Sequence, residues 1–116
     1  MMPALAYRVD LAGTAVVFSG DVQEFHKPLV ELAAACDTFV CDMALPEREV
    51  EHGHLHVKPS DIGKMAAESG ARQLVLTHFM PEIEDQIPEA VAHIRESYRG
   101  QVVLAHDLLR VTVPVR

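Results

Sequence analysis

Three polar clusters close apolar runs in this 116-residue chain, and each carries a residue able to hold a metal ion or move a proton. Asp21 follows the run Thr14 to Ser19 and a glycine that lets the backbone turn sharply. Its carboxylate can therefore face a cleft as an oxygen ligand or general base, or serve as an ordinary turn aspartate. His78 ends the run Leu74 to Thr77. A neutral imidazole there could ligate zinc, or sit as a hydrogen-bonded core or surface histidine. His52, His54 and His56 alternate, so an extended backbone would bring all three to one side. Glu47, Glu49 and Glu51 alternate in the same way, which fits a solvated charged stretch equally well.

The chemistry open to these residues is narrow. No Gly-rich phosphate loop, GxSxG elbow, HExxH helix or Cys-His nucleophile pair is present, which disfavours catalysis by a side-chain nucleophile. Water activated by a bound metal is the remaining route, because Asp and His are the ligands such a site uses. Cys36 and Cys41 lack CxxC spacing and have no further cysteines to join, so they read as buried thiols. The net charge of -7 repels polyanions and argues against an independent nucleic-acid-binding module. Divalent cations among the carboxylates would reverse that field locally.

The elements that must position these groups follow from periodicity. Tyr7 to Leu11 and Thr14 to Ser19 flank Ala12-Gly13 as a hairpin. Pro28 to Ala35 reads as a short helix, Thr38 to Asp42 as a strand, and Ala44 to Lys58 as a long loop. Pro59 opens a helix that Gly70 stops, Gln73 to Thr77 is a buried strand, and Ile87 to Tyr98 is an amphipathic helix. Gln101 to Ala105 and Leu109 to Val113 are expected as closing strands. Hydrophobic residues make up 49% of the chain, enough for one core, and no repeat or linker divides residues 1–116. The expected fold is α/β: a mixed sheet with helices on one face, leaving the other face apolar and in need of a partner sheet. No secretory signal pattern and no long apolar segment occur, which predicts a soluble protein in a reducing, cytoplasmic setting.

Taken in order, VVFSGD (Val16 to Asp21), CDTFVCDMAL (Cys36 to Leu45), HVKPSDIGKMAAESG (His56 to Gly70), LVLTHFMP (Leu74 to Pro81) and the closing VVLAHDLLRVTV resemble the C-terminal half of the metallo-β-lactamase superfamily. Its ribonuclease Z-like and phosphodiesterase-like branches are the most similar. The resemblance implies half of an αββα sandwich and a two-metal hydrolase acting on a phosphate ester, a small molecule or RNA. It implies that Asp21 bridges two metal ions, that His78 is a terminal ligand of one, and that His56 positions the phosphate or protonates the leaving group. Zn2+, Mn2+ or Fe2+ would suit such a mixed Asp/His site. Asp107 matches a frequent family aspartate and is expected outside the ligand set.

The departures are equally specific. The family's His-x-His-x-Asp-His motif, and the further histidine before the bridging aspartate, have no counterpart here. The branch's glutamate in the strand after that aspartate is Asp42, and its Ser/Thr-Pro helix start is Lys58-Pro59, which removes a side-chain N-cap. Zinc sites ordinarily need three or four protein ligands, so the chain is expected to be inactive without an N-terminal, histidine-rich half. The alternative is a non-catalytic half-fold whose open sheet face pairs with a second copy as a homodimer or with another partner.

Overall fold

The computed structural model describes residues 6–48, 56–107 and 109–114. Strands β1 (Tyr7–Leu11), β2 (Thr14–Phe18), β3 (Thr38–Asp42), β4 (Gln73–Thr77) and β5 (Gln101–Leu104) form one sheet in sequence order. The β1–β2 pair is antiparallel and the other three pairs are parallel. The hairpin turns through Ala12 and Gly13 at φ 53 and 80, the positive values a two-residue turn between twisted strands demands.

Helices α1 (Lys27–Leu32), α2 (Pro59–Ser69) and α3 (Ile87–Arg95) provide the crossovers, with a 3-10 turn over Pro81–Gln86 before α3. Strands added one after another in the same direction through right-handed crossovers bring every helix to the same face. The core is built there: Val17, Phe39, Cys41, Leu74 and Leu76 from the strands pack with Leu29, Val30, Ile62, Met65, Ala66 and Ile94 from the helices. Helices α2 and α3 cross closely enough that a Cβ on Gly63 would lie 2.6 Å from the Ile94 carbonyl oxygen.

The opposite face carries a transverse row, Tyr7, Phe18, Val40, Val75 and Val103, in register across all five strands. Its covering is uneven. Val75 is only 4% exposed, whereas Tyr7 and Phe18 are 60% and 43% exposed, and Val9 and Leu11 also face outward. The C-terminal segment accounts for part of this gradient, since the Thr112 carbonyl accepts a hydrogen bond from Gln73 Nε2 at the start of β4.

Several expectations are corrected. Leu109 to Val113 forms no strand: its described residues lie outside the sheet, and the Gln73 contact draws Thr112 toward the sheet face instead of pairing it at the β5 edge. Helix α1 stops at Leu32, where the Arg8 guanidinium accommodates the Leu32 and Ala34 carbonyls at 2.8 and 2.9 Å. Helix α3 ends at Arg95, with a looser turn carrying the chain to Tyr98. The expected long loop is interrupted by helical residues Glu47 and Arg48, and residues 49–55 lie outside the described residues.

The missing N-cap on α2 is replaced from a distance. Lys58 makes no side-chain cap bond. The Glu47 carboxylate instead accepts from the Ser60 backbone N–H at 2.9 Å and from the Ser60 hydroxyl at 2.7 Å. At the other end Gly70 takes the left-handed conformation at φ 75, and Ala71 N–H reaches back to the Ala66 carbonyl at 3.3 Å, closing the helix.

Candidate metal centre

Parallel strands assemble their sites at their carboxyl ends, and three such ends lie side by side here. After β2, Ser19 is tied to β3 by its N–H to the Val40 carbonyl at 2.9 Å. Gly20 at φ 63 then turns the chain, so that Asp21 stands exposed at the rim. Asp42 is the last residue of β3, and its N–H donates to Ser19 Oγ at 3.2 Å. His78 follows β4 directly, in a left-handed conformation at φ 61 that is uncommon outside glycine. The register pairs Asp42 with Thr77, and the Thr77 hydroxyl donates to Asp42 Oδ1 at 3.1 Å.

One ligand atom from each of Asp21, Asp42 and His78 lies within 4.8 Å of the others. His78 Nδ1 is 3.6 Å from Asp42 Oδ2. Half-burial raises the Asp42 carboxyl above the usual carboxylate range; the Thr77 hydroxyl and the His78 charge oppose this, while the hydrogen bond and charge of Asp21 add to it. Two carboxylates held this close repel one another unless a proton or a cation sits between them. Two oxygen donors and one directional nitrogen form the donor set of a hard or borderline divalent cation.

The structure thus brings together two of the expected residues, Asp21 and His78. His56 stands next to His78, the two ring centroids 6.1 Å apart with the planes at 45°. Asp107 is exposed and is not part of the three-residue group. His52 and His54 fall outside the described residues. Asp42 is a third candidate ligand beyond the two that the sequence pattern singles out, although its position carries the same signal. It ends the apolar run Thr38 to Cys41 as Asp21 and His78 terminate theirs, and adjacent parallel strands bring such ends together.

The sulfurs stand apart from this group. Cys36 and Cys41 are both buried, and burial pushes the Cys41 thiol up to about 12. No helix among the described residues is long and apolar enough to cross a membrane.

Against known proteins, residues 1–79 match the family profile of the beta-lactamase superfamily domain, a span containing Asp21, Asp42, His56 and His78. The chain is 34% identical over 128 residues to a ribonuclease Z of Thermobifida fusca, covering 100% of this chain and 39% of that protein. It is 35% identical over 89 residues to a ribonuclease Z of Streptomyces avermitilis, covering 73% of this chain and 29% of that protein. The chain therefore spans well under half the length of the curated relatives it matches. Among solved structures, the metallo-beta-lactamase fold protein YhfI from Bacillus subtilis superposes with a TM-score of 0.73 at 19% identity, covering 86% of this chain and 40% of that one. The short form of human tRNase Z superposes with a TM-score of 0.68 at 21% identity, covering 95% of this chain and 38% of that one.

Proposed function

The chain belongs to the beta-lactamase superfamily, and on that premise we propose that it is the C-terminal part of a metal-dependent hydrolase that cleaves phosphate esters, RNA among them. The observation that carries this reading is the convergence of Asp21, Asp42 and His78 within 4.8 Å at adjacent strand ends. Similarity to ribonuclease Z proteins supports the phosphate-ester class of substrate.

In this reading Asp21 and Asp42 supply the oxygen ligands and His78 a nitrogen ligand. Asp21, exposed as His78 is, would be available to a second cation. Zn2+, Mn2+ or Fe2+ bound there would lower the pKa of a water and offset charge developing on the phosphoryl oxygens. Thr77 orients the Asp42 carboxylate, and Ser19 holds the Asp42 backbone, so the ligand is set before any cation arrives. His56, beside His78 but outside the three-residue group, can contact a phosphate oxygen or deliver a proton to the leaving oxygen.

Three ligands suffice for one cation completed by solvent, not for a tight pair. The full activity therefore requires further ligands of the kind an upstream histidine-rich segment would bring, and without them the chain is inactive. That partner segment would also contribute the second sheet of the sandwich, seated on the exposed row around Tyr7 and Phe18. The same row favours a second reading: a non-catalytic assembly in which another copy of this chain covers that face.

Elemental analysis and light scattering on the same purified chain separate the two. About one equivalent of metal, lost in Asp21→Ala, Asp42→Ala and His78→Ala, is the result expected for the hydrolase reading. A metal-free oligomer indifferent to all three substitutions would overturn it in favour of the scaffold.

A further inference from the structure

His56 is the one proposed site residue that no strand end supplies. It sits just ahead of α2, and Val57 N–H donates to the Val22 carbonyl at 2.7 Å, fixing the chain at one point close to Asp21. Burial of Val57 in the core reinforces that anchor, ahead of the helix. The second fixed point comes from Glu47, which reaches the start of α2 with both carboxylate oxygens, 2.9 Å to Ser60 N and 2.7 Å to Ser60 Oγ.

The chain leading to Glu47 is itself tethered to the site. It runs directly from Asp42, with Met43 N–H donating to the Thr77 carbonyl at 2.8 Å and the Ala44 carbonyl accepting from Met80 N–H at 3.1 Å. Glu47 thus follows, three residues on, a segment bonded to the end of β4 and the residues after it, which carry His78, and continuous with β3, which carries Asp42. Its two bonds link that segment to the first turn of α2 and so to His56.

We propose that Glu47 is a positioning residue: its bidentate grip on Ser60 sets His56 beside His78. A serine or threonine at the N-cap would satisfy the helix start equally well but would carry no such link, because its bonds stay within the helix. The geometry therefore assigns Glu47 two roles, cap and tether. The significance of the second rests on the proposed part of His56 in the hydrolytic site.

The two roles separate by substitution in the full chain. Lys58 already has the extended backbone of an N-cap, φ -80 and ψ 151, so Lys58→Ser can supply a local cap. The variants are Glu47→Ala and Glu47→Ala/Lys58→Ser, and the readout is the ring-to-ring NMR cross-peak between His56 and His78 in histidine-labelled protein. Loss of the cross-peak in both variants, with the thermal midpoint recovered in the double variant, is the expected result. A cross-peak that survives in Glu47→Ala, or returns when Lys58→Ser restores the cap, would show that Glu47 only caps the helix and would overturn the proposal. Should Glu47→Ala alone fail to fold, the capped double variant decides. The contact is measured without metal, so a wild-type chain that binds no Mn2+ would count against the metal reading and leave this one standing.

Discussion

Asp21, Asp42 and His78 gather because each stands at or just beyond the carboxyl end of one of three neighbouring parallel strands. The raised Asp42 carboxyl follows from half-burial first and from its Asp21 neighbour after that. A cation must displace any proton shared there, so Mn2+ binding should be present above the raised pKa of Asp42 and be lost as the pH falls through it. That loss begins at higher pH than an ordinary exposed aspartate would cause. Asp42→Asn should weaken binding by at least about tenfold, since even residues that merely orient ligands cost that much, and should flatten the acid limb. Calorimetric Mn2+ titrations over a pH series check both. Asp21 and His78 could be read from sequence because each ends an apolar run beside a turn signal. Asp42 is harder: its place at the end of the Thr38 to Cys41 run is legible, but aspartate in place of glutamate reads as a departure from the family pattern, and only the 3.6 Å distance shows that the shorter side chain still reaches His78.

At the scale of elements, the strands and helices were readable wherever apolar periodicity was clean, as in β2, β4 and α2. The errors fell where tertiary bonds override local pattern. Leu109 to Val113 alternates like a strand, yet it lies outside the five-stranded sheet of the described residues. Nothing local announces that Glu47 will cap a helix 13 residues downstream, because that bond depends on the chain path between them. Gly63 shows the same competition in energetic terms. Alanine is favoured over glycine inside a helix by roughly 1 kcal/mol. At Gly63, however, the added Cβ would meet Ile94 backbone atoms at 2.6 and 2.9 Å, and backbone cannot rotate aside as a side chain can. Overpacking costs about 1–3 kcal/mol, so close approach outweighs propensity. A clash with immovable backbone belongs at the upper end of that range, so Gly63→Ala should lower stability by about 1–2 kcal/mol, visible as an earlier midpoint in urea unfolding. An unchanged or later midpoint would mean that α2 and α3 can separate at little cost.

For the whole molecule, one-sided helical cover predicts an apolar sheet face, and the structure refines where that face is open. Around Val75 it is closed; over the β1–β2 hairpin Tyr7, Val9 and Leu11 on β1 and Phe18 on β2 remain exposed, and among the described residues no strand pairs with the outer edge of β1. Two forces then compete when the chain is alone in solution. The net charge of -7 opposes association, while the apolar stripe favours it. Charge repulsion is screened beyond about 8 Å at physiological ionic strength, whereas burial of apolar surface is not weakened by salt. Self-association should accordingly grow with protein concentration and with added salt in light scattering. Leu11 is 74% exposed, so Leu11→Lys should change stability by no more than about 0.5 kcal/mol while placing a charge within the stripe. Combined with Val9→Lys it should shift the chain toward monomer without altering cation binding at the distant ends of β2, β3 and β4. Association that persists unchanged in the double variant, or that weakens as salt is added, would place the contact elsewhere on the surface and remove this face as the seat of a second sheet.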